Sequence, residues 1–279
     1  MREELIPRFV RIPAREFAMG SDDGADDERP AHRVQVDSFY ASIHLVTVEQ
    51  YAEFTREIGY AAPAIRDLPM LVTPTDESSF RELAMPHEWH AGHPPHDRAR
   101  HPVTLVTHAD ATAYCRWLSG RIGRLVRLPT EAEWERAARG DRDDVRYPWG
   151  DDVDASRANF LIDPALKREG GTRPVGCYPP NELQLYDMAG NVWEWVADWY
   201  HADAYRQRNG DQRNPRGPVN GAMRIVRGGS WVTHDVNQLR CAHRHKVPPD
   251  TYAYSIGFRV VYSDDGMPTD SVQEPPRLT

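Results

Sequence analysis

The chain has 279 residues, of which 40% are hydrophobic and 27% charged, and its formal net charge at pH 7 is −8. This charge argues against a general nucleic-acid-binding protein, because such a protein needs a basic face to neutralise phosphates. No apolar run is long enough to span a membrane and the first residues lack a signal-peptide pattern, so the sequence predicts a cytoplasmic protein.

The content of 23 prolines and 19 glycines predicts a loop-rich body and not a helix bundle or a regularly alternating α/β chain. The three cysteines, Cys115, Cys177 and Cys241, are too few for a disulfide-stapled secreted domain. No two of them have the spacing of a structural zinc site. No domain boundary is evident, so we predict one domain over 1–265 and a disordered tail at 266–279.

The first predicted elements are strands. Residues 8–20 predict a short strand and a turn, and the alternation of apolar and polar residues at 32–40 predicts a half-buried strand. The acidic run from Asp22 to Glu28 between them predicts a solvated loop. Residues 60–100 are rich in proline and histidine and lack periodicity, which predicts a long loop.

Three amphipathic segments predict helices: 47–58, 108–119 and 130–139. Thr47 and Thr130 begin the first and the third, where a threonine side chain caps free backbone N–H groups. Beyond them the chain reads mostly as turns, and 224–231 and 256–262 are the clearest strands.

A series of motifs follows along almost the whole chain: MGS at 19–21, HRVQVDSFY at 32–40, TVEQYAEF at 47–54, HPV at 101–103, AYCRW at 113–117, RLPTEAEWERAARG at 127–140, YPWG at 147–150, ANF at 158–160, YDMAGNVWEWVADWY at 186–200, RIVRGGSW at 224–231, LRCAHR at 239–244 and IGFRV at 256–260. Together they resemble the formylglycine-generating enzymes, or sulfatase-modifying factors. The resemblance implies an α+β, C-type-lectin-like fold with little regular secondary structure.

One departure from that family concerns its active cysteines. In the active enzymes the first cysteine lies three residues after the serine of GGS; here the serine is Ser230, and Thr233 stands at that position. No cysteine occurs between Ser230 and Arg240, and Ser255 replaces the usual asparagine before IGFR. Soft thiolates select copper(I), and a threonine hydroxyl is not such a ligand. The resemblance therefore implies a member that does not make formylglycine.

The same resemblance implies a structural calcium site in the YDMAGNVWEW loop. The carboxylates of Asp187 and Glu194 and the carbonyl oxygens of Gly190 and Val192 would supply hard oxygen ligands. The alternative is that Glu194 accepts backbone hydrogen bonds and no ion is present.

The resemblance also matches Cys115 and Cys241 to a structural bridge of secreted relatives, so we expect them to be neighbours in space. An oxidised bridge and two buried thiols both remain possible.

Histidines recur at His87, His90, His93 and His96, but prolines among them forbid one continuous helix. A solvated loop is therefore favoured over a metal cluster. His101 belongs to the HPV motif and is expected to be structural.

A second set of histidines suggests a redox metal. His108, His243 and His245 could hold iron or copper through their imidazoles, and the last two share one face of a strand. Hydrogen-bonded pocket or surface histidines are the alternative interpretation.

Two functions follow from these observations. The first is a metal-dependent oxidoreductase, with iron as the candidate metal. It would modify a small molecule or a peptide in a biosynthetic pathway, as some family members without the cysteine pair do. Its catalytic candidates are His234, Ser230, Arg244 and Trp231, with Ser255 in the same pocket. The second is a non-catalytic ligand- or protein-binding domain, as in the variable proteins of retroelements. Neither function requires nucleic acid or a membrane, and the sequence leaves the oligomeric state open.

Overall fold

The computed structural model describes residues 5–65, 77–161, 171–207 and 212–264, so the predicted tail at 266–279 lies outside the described residues. Within these ranges the chain has four α-helices: α1 Val48–Ile58, α2 Glu77–Ala84, α3 His108–Ile122 and α4 Glu131–Arg139. Turns and short strands form most of the remainder, as the proline and glycine content predicts.

The strands of the described chain are short, and their bounds are β1 Phe9–Ile12, β2 Arg15–Met19, β3 His32–Val36, β4 Phe39–Ser42, β5 Val126–Arg127, β6 Trp193–Trp199, β7 Arg224–Arg227, β8 His245–Val247, β9 Ile256–Gly257 and β10 Val261–Ser263. They form two four-stranded sheets, β1-β4-β10-β5 and β8-β7-β6-β9, and the hairpin β2-β3. In the second sheet β7 is antiparallel to both of its neighbours, whereas β6 and β9 are parallel.

The three predicted helices form where their caps place them. Thr47 and Thr130 each accept a hydrogen bond from the backbone N–H three residues later, and both close a capping box. Thr107 does the same for α3, which continues to Ile122 and ends at Gly123 in the left-handed conformation. Loss of one such cap costs about 1 kcal/mol of stability.

Two large hydrophobic clusters fill the interior. The first joins α1 and α3 to β6 through aromatic residues such as Tyr51, Tyr114 and Trp195. The second joins α4 to the β2-β3 hairpin through Trp134 and Phe17. The sheet β8-β7-β6-β9 lies between these clusters, since β6 and β7 contribute residues to both.

Several predicted boundaries were wrong because turns interrupt the strands. Residues 32–40 form two strands, β3 and the start of β4, and residues 8–20 also divide into two. The strand predicted at 256–262 breaks between β9 and β10, and β7 ends at Arg227 instead of continuing to 231. The loop predicted at 60–100 contains α2, which buries Phe80 and Ala84.

The predicted proximity of Cys115 and Cys241 was wrong. Cys115 packs in the cluster of α1 and α3 with Val260, whereas Cys241 packs in the cluster of α4 with Ala138. Both thiols are free and buried. Helix α3 and the segment before β8 lie in different layers, which is why the two residues are not neighbours.

In the described part of the chain, no helix combines the length and the apolar composition needed to cross a bilayer.

Candidate functional site

The turn after β7 contains the residues that stand where the family has its first active cysteine. The backbone N–H of Ser230 donates to Oγ1 of Thr233 at 2.9 Å, and N–H of Thr233 donates back to the Ser230 carbonyl at 3.0 Å. Ser230 is fully buried and Thr233 is 4% exposed. The Thr233 hydroxyl therefore closes a turn, and it presents no soft ligand to a metal.

The other catalytic candidates of this segment differ in exposure. Trp231 is buried against the ring of Tyr254 at a centroid distance of 5.7 Å, and its Nε1 donates to the Tyr254 carbonyl at 3.4 Å. His234 is exposed. The carbonyl of Ser255 accepts the backbone N–H of Trp193. Residues 254 and 255, which lead into the edge strand β9, thus connect Trp231 to Trp193.

Arg244 lies in a buried group of charges that we call the arginine network: Glu131, Glu135, Arg139, Arg227 and Arg244. Nε of Arg244 donates to Glu131 at 2.7 Å, and Nη2 of Arg227 donates to Glu135 at 2.7 Å. The Arg244 guanidinium also lies 4.3 Å from the ring centre of Tyr205. Arg244 therefore ties β8 to α4 and does not project toward Trp231.

A second group, here called the imidazole cluster, comprises Glu28, Trp193, Arg240, His243 and His245. Glu28 is fully buried and accepts two hydrogen bonds from Arg240, at 2.7 and 2.8 Å. Its Oε1 lies 3.4 Å from Nδ1 of His243. Burial opposes ionisation of Glu28, but hydrogen bonds from His243 and Arg240 outweigh it and hold its pKa at about 2. Glu28 is thus a carboxylate at neutral pH.

The two histidines of this cluster lie against the indole of Trp193. The His245 ring stacks on it at a centroid distance of 4.9 Å, and the His243 ring is tilted at 5.9 Å. Burial lowers the pKa of His245 to about 4, with smaller contributions from His243 and Lys246, so that ring is neutral at pH 7. Nε2 of His243 is buried and has no hydrogen-bond partner among the described residues.

His108 does not join them. Its Nε2 lies 3.1 Å from the carbonyl oxygen of Val196, to which it donates, and its ring packs edge-on against Trp195. Burial lowers the pKa of His108 to about 4. In the described chain no group of three or more histidine, cysteine or acidic side chains is arranged to hold a metal. The proposed three-histidine metal centre is therefore not assembled in this structure.

The predicted calcium ligands lie at the start of β6. Glu194 belongs to this strand, not to an irregular loop, and Nε of Arg259 donates to it at 2.6 Å. Oδ2 of Asp187 accepts the Gly176 N–H at 2.9 Å, and Asn191 donates to Oδ1 at 3.4 Å. Glu194 is thus bound by a guanidinium, and not by the backbone amides that the alternative interpretation supposed.

The charge balance of this region fits a cation. Burial raises the pKa of Asp187 to about 6 and also raises that of Glu194. Arg259 lowers both values, and among the described residues it is the cation that acts on these carboxylates. Two buried carboxylates therefore share one guanidinium, which leaves one negative charge uncompensated, and carboxylate and carbonyl oxygens are the ligands that calcium uses.

The histidine-rich segment is mostly exposed, as predicted, since His90, His93 and His96 reach solvent. His87 is the exception. It is buried beside Thr104, and burial lowers its pKa to about 3. Nδ1 of His101 forms a hydrogen bond of 3.0 Å with Oγ1 of Thr172, in keeping with a structural role.

The sequence analysis missed Glu28 and Trp193 as site residues. Glu28 ends an acidic run that was predicted to be solvated, and its partner Arg240 is 212 positions away along the chain. The run carries no local pattern that separates a buried carboxylate from its exposed neighbours. Trp193 was seen only as part of a calcium-loop motif, because the imidazoles that contact it come from another strand.

Residues 1–264 match the family described as "Sulfatase-modifying factor enzyme 1-like domain". The chain is 35% identical to the formylglycine-generating enzyme of Thermomonospora curvata, over 92% of this chain and 94% of that protein. It belongs to this family. The mouse protein named inactive C-alpha-formylglycine-generating enzyme 2 is 33% identical over 95% of the chain and 89% of its own length.

A serine/threonine-protein kinase, pkn1 of Chlamydia pneumoniae, is 38% identical over 92% of this chain. The chain spans only 38% of that kinase's length. Among solved structures, PvdO from Pseudomonas aeruginosa matches with a TM-score of 0.72 and 29% identity, covering 92% of this chain and 94% of that one. Treponema denticola variable protein 1 matches with a TM-score of 0.69, 91% and 94% coverage, and 22% identity, which shows the shared fold alone.

Proposed function

We propose that this member of the sulfatase-modifying-factor family is not a formylglycine synthase. It acts instead as an oxidoreductase on a small molecule or a peptide of a biosynthetic pathway. The observation that carries the negative part is the closed turn in which Thr233 replaces a thiol. Burial raises the pKa of Cys115 and of Cys241 to about 12, so these thiols stay protonated and are poor copper ligands. Copper(I) held by a pair of thiolates therefore does not fit the turn after β7.

The positive part rests on similarity and on the imidazole cluster. The chain covers 94% of the length of the Thermomonospora curvata enzyme, and PvdO shares the fold at 29% identity. The cluster places two imidazoles against the indole of Trp193, and the backbone N–H of Trp193 donates to the carbonyl of Ser255. Because His108 bonds to Val196 instead and the described residues contain no group of three metal-binding side chains, the proposal assigns no redox metal to these histidines. Dioxygen is the expected oxidant, reduced to hydrogen peroxide when the substrate loses two hydrogen atoms.

Two assays test this function. Purified protein incubated with a cysteine-containing sulfatase peptide should yield no aldehyde by mass spectrometry, while the Thermomonospora curvata enzyme serves as the active control. The Thr233→Cys variant should also yield none, because one thiol does not restore the pair. Aldehyde formation by the unaltered protein would overturn the negative part.

In the second assay, the protein is incubated under air with a small-molecule extract of its source organism. One component should lose two hydrogen atoms, with matching formation of peroxide. If no component changes while one binds tightly enough to co-purify, the chain is a ligand-binding domain and not an enzyme.

We also propose that Asp187, Glu194 and the carbonyl oxygens of Gly190 and Val192 hold calcium, which would order the loop before β6. Added calcium should raise the thermal midpoint. A concentration one hundred times Kd stabilises the folded state by about 2.7 kcal/mol. The Asp187→Asn variant should lose most of this response, and Asp152→Asn, at an exposed position, should keep it. An unaltered protein whose midpoint is the same in calcium and in EDTA would contradict the assignment.

A further inference from the structure

A cleft of about 1110 Å³ lies along helix α1, and we call it the α1 cleft. Its described lining comes from α1 between Val48 and Arg56, from the segment between Met85 and Ala99 on the opposite side, and from Leu5. Drug-sized ligands occupy clefts of about 300–1,000 Å³, so such a molecule has room here. The described lining includes no residue of the turn after β7, so the cleft does not contain the catalytic candidates of that turn.

Contacts within the fold hold the two walls of the α1 cleft together. At one end of the segment opposite the helix, Trp89 is buried, and its ring packs edge-on against Tyr51 of α1 at a centroid distance of 6.2 Å. At the other end the carbonyl of Ala99 accepts the backbone N–H of Glu49 at 3.0 Å. A preformed cleft spares a ligand the cost of ordering its site, and this one is formed by the fold itself.

The lining carries more carboxylates than guanidiniums. Glu49, Glu88 and Asp97 line the cleft, and none of the three forms an ion pair within the part of the chain that the structure describes. Glu53 and Arg56 also line it, but they lie 2.5 Å apart and neutralise each other. Three negative charges are thus left to be compensated.

One further guanidinium, that of Arg98, belongs to the lining. Its Nη1 donates to Oγ1 of Thr172 at 3.2 Å, and Thr172 is not part of the described lining. Counted in full, Arg98 compensates one of the three carboxylates, so two negative charges remain when the histidines are counted as neutral. A cleft of one sign attracts ligands of the opposite sign. The described chain has no group of three or more metal-binding side chains, so the charge suits an organic cation better than a bare metal ion.

Apolar and aromatic groups line the same cleft. Met85 is 61% exposed, and Ala52 and Pro94 also contribute to the lining. A methionine side chain is flexible enough to adapt to an apolar ligand of irregular shape. His90 and His93 pair across a two-residue turn and add two imidazole rings to the lining. The cleft therefore offers contacts to an apolar body as well as to a positive charge.

We propose that the α1 cleft binds an organic cation, a small molecule that has an apolar body and an ammonium or guanidinium group. The body contacts Met85 and Ala52, and the carboxylates of Glu49 and Asp97 compensate its charge. This inference goes beyond the proposed function, because it names a ligand site outside the turn after β7 and depends on no oxidation.

The test uses the full chain with ¹³C-labelled methionine methyl groups and three probes that share one ring system: naphthylmethylamine, naphthylmethanol and naphthoate. At pH 7.5 the amine should shift the Met85 signal, which is assigned by its loss in Met85→Leu. The signal of Met223, outside the described lining, should stay in place. The amine should bind about 2- to 5-fold more tightly than the alcohol, the gain of one exposed ion pair, and naphthoate should bind most weakly. An unmoved Met85 signal, or equal affinities for amine and alcohol, would overturn the proposal.

Two variants separate the charge of the cleft from its shape. Asp97→Asn should reduce the preference for the amine, whereas Asp152→Asn, at an exposed position outside the described lining, should preserve it. Ala99→Trp should weaken amine and alcohol alike by about tenfold, because the indole fills part of the cleft. Thermal midpoints check that each variant is folded.

Two results of the variant series would contradict the assignment. The first is a preference for the amine that survives in the double variant Glu49→Gln and Asp97→Asn, since the carboxylates would then not select the charge. The second is a Met85 signal that responds to a lysine-containing octapeptide and not to the amine, which would make the cleft a peptide site. Neither result bears on the oxidoreductase, which the aldehyde and peroxide assays test separately.

Discussion

The arginine network and the imidazole cluster are both buried charge groups beside the same sheet, but they differ in how their polar atoms are satisfied. In the network, Glu135 accepts hydrogen bonds from Arg139, Arg227 and the backbone N–H of Gly20, so both of its carboxylate oxygens have partners within the protein. In the cluster, Glu28 lies 3.4 Å from Nδ1 of His243, whereas Nε2 of the same ring is buried without a hydrogen-bond partner among the described residues. The first arrangement holds layers together, whereas the second leaves one buried nitrogen unsatisfied.

The largest effect is expected in the arginine network. Glu135→Gln removes the charge that two buried guanidiniums share, and breaking a buried pair in this way costs about 3–5 kcal/mol. Urea unfolding of the variant measures this loss. The matched control is Glu77→Gln, whose exposed pair with Arg81 should contribute no more than about 0.5 kcal/mol. Equal effects of the two substitutions would show that the network is not a stabilising element.

A smaller, pH-dependent effect is expected at Glu28. Its folded pKa of about 2 is below the ordinary value of 4.5, so its stabilisation is present above pH 4.5 and is lost as the pH falls toward 2. Glu28→Gln should therefore cost about 2–3 kcal/mol at pH 7, the value of hydrogen bonds to a charged group, and less at pH 3. Unfolding midpoints at the two pH values measure the difference. A cost that is the same at both would contradict the ionised state of Glu28.

The smallest effect is expected at His243. His243→Asn keeps a donor toward Glu28 and removes the unpaired nitrogen, so the free energy of unfolding should change by less than about 1 kcal/mol in either direction. Urea unfolding of His243→Asn and of Glu135→Gln under the same conditions compares the two changes in stability directly. A loss as large as that of Glu135→Gln would mean that the ring is a structural element, and the contrast between the two groups would disappear.

Local features of the sequence determined the helices and the family. Thr47 and Thr130 with their capping-box partners predicted where α1 and α4 begin, because capping depends on residues three positions apart. The ordered motifs predicted the C-type-lectin-like fold, and the substitution of Thr233 was evident without coordinates. The strand boundaries within 32–40 and 256–262 were not evident from the sequence, because the turns that break these strands depend on which sheet each half joins.

Only the tertiary structure decided the composition of the site. Glu28 belongs to an acidic run that any local rule assigns to solvent, yet Arg240 and His243 bury it from more than 200 positions away. Arg244, a catalytic candidate from its position near GGSW, is held instead by Glu131 of α4. A residue's type and its neighbours in the chain determine local structure, whereas the partner of a buried charge depends on which distant segments the fold brings together.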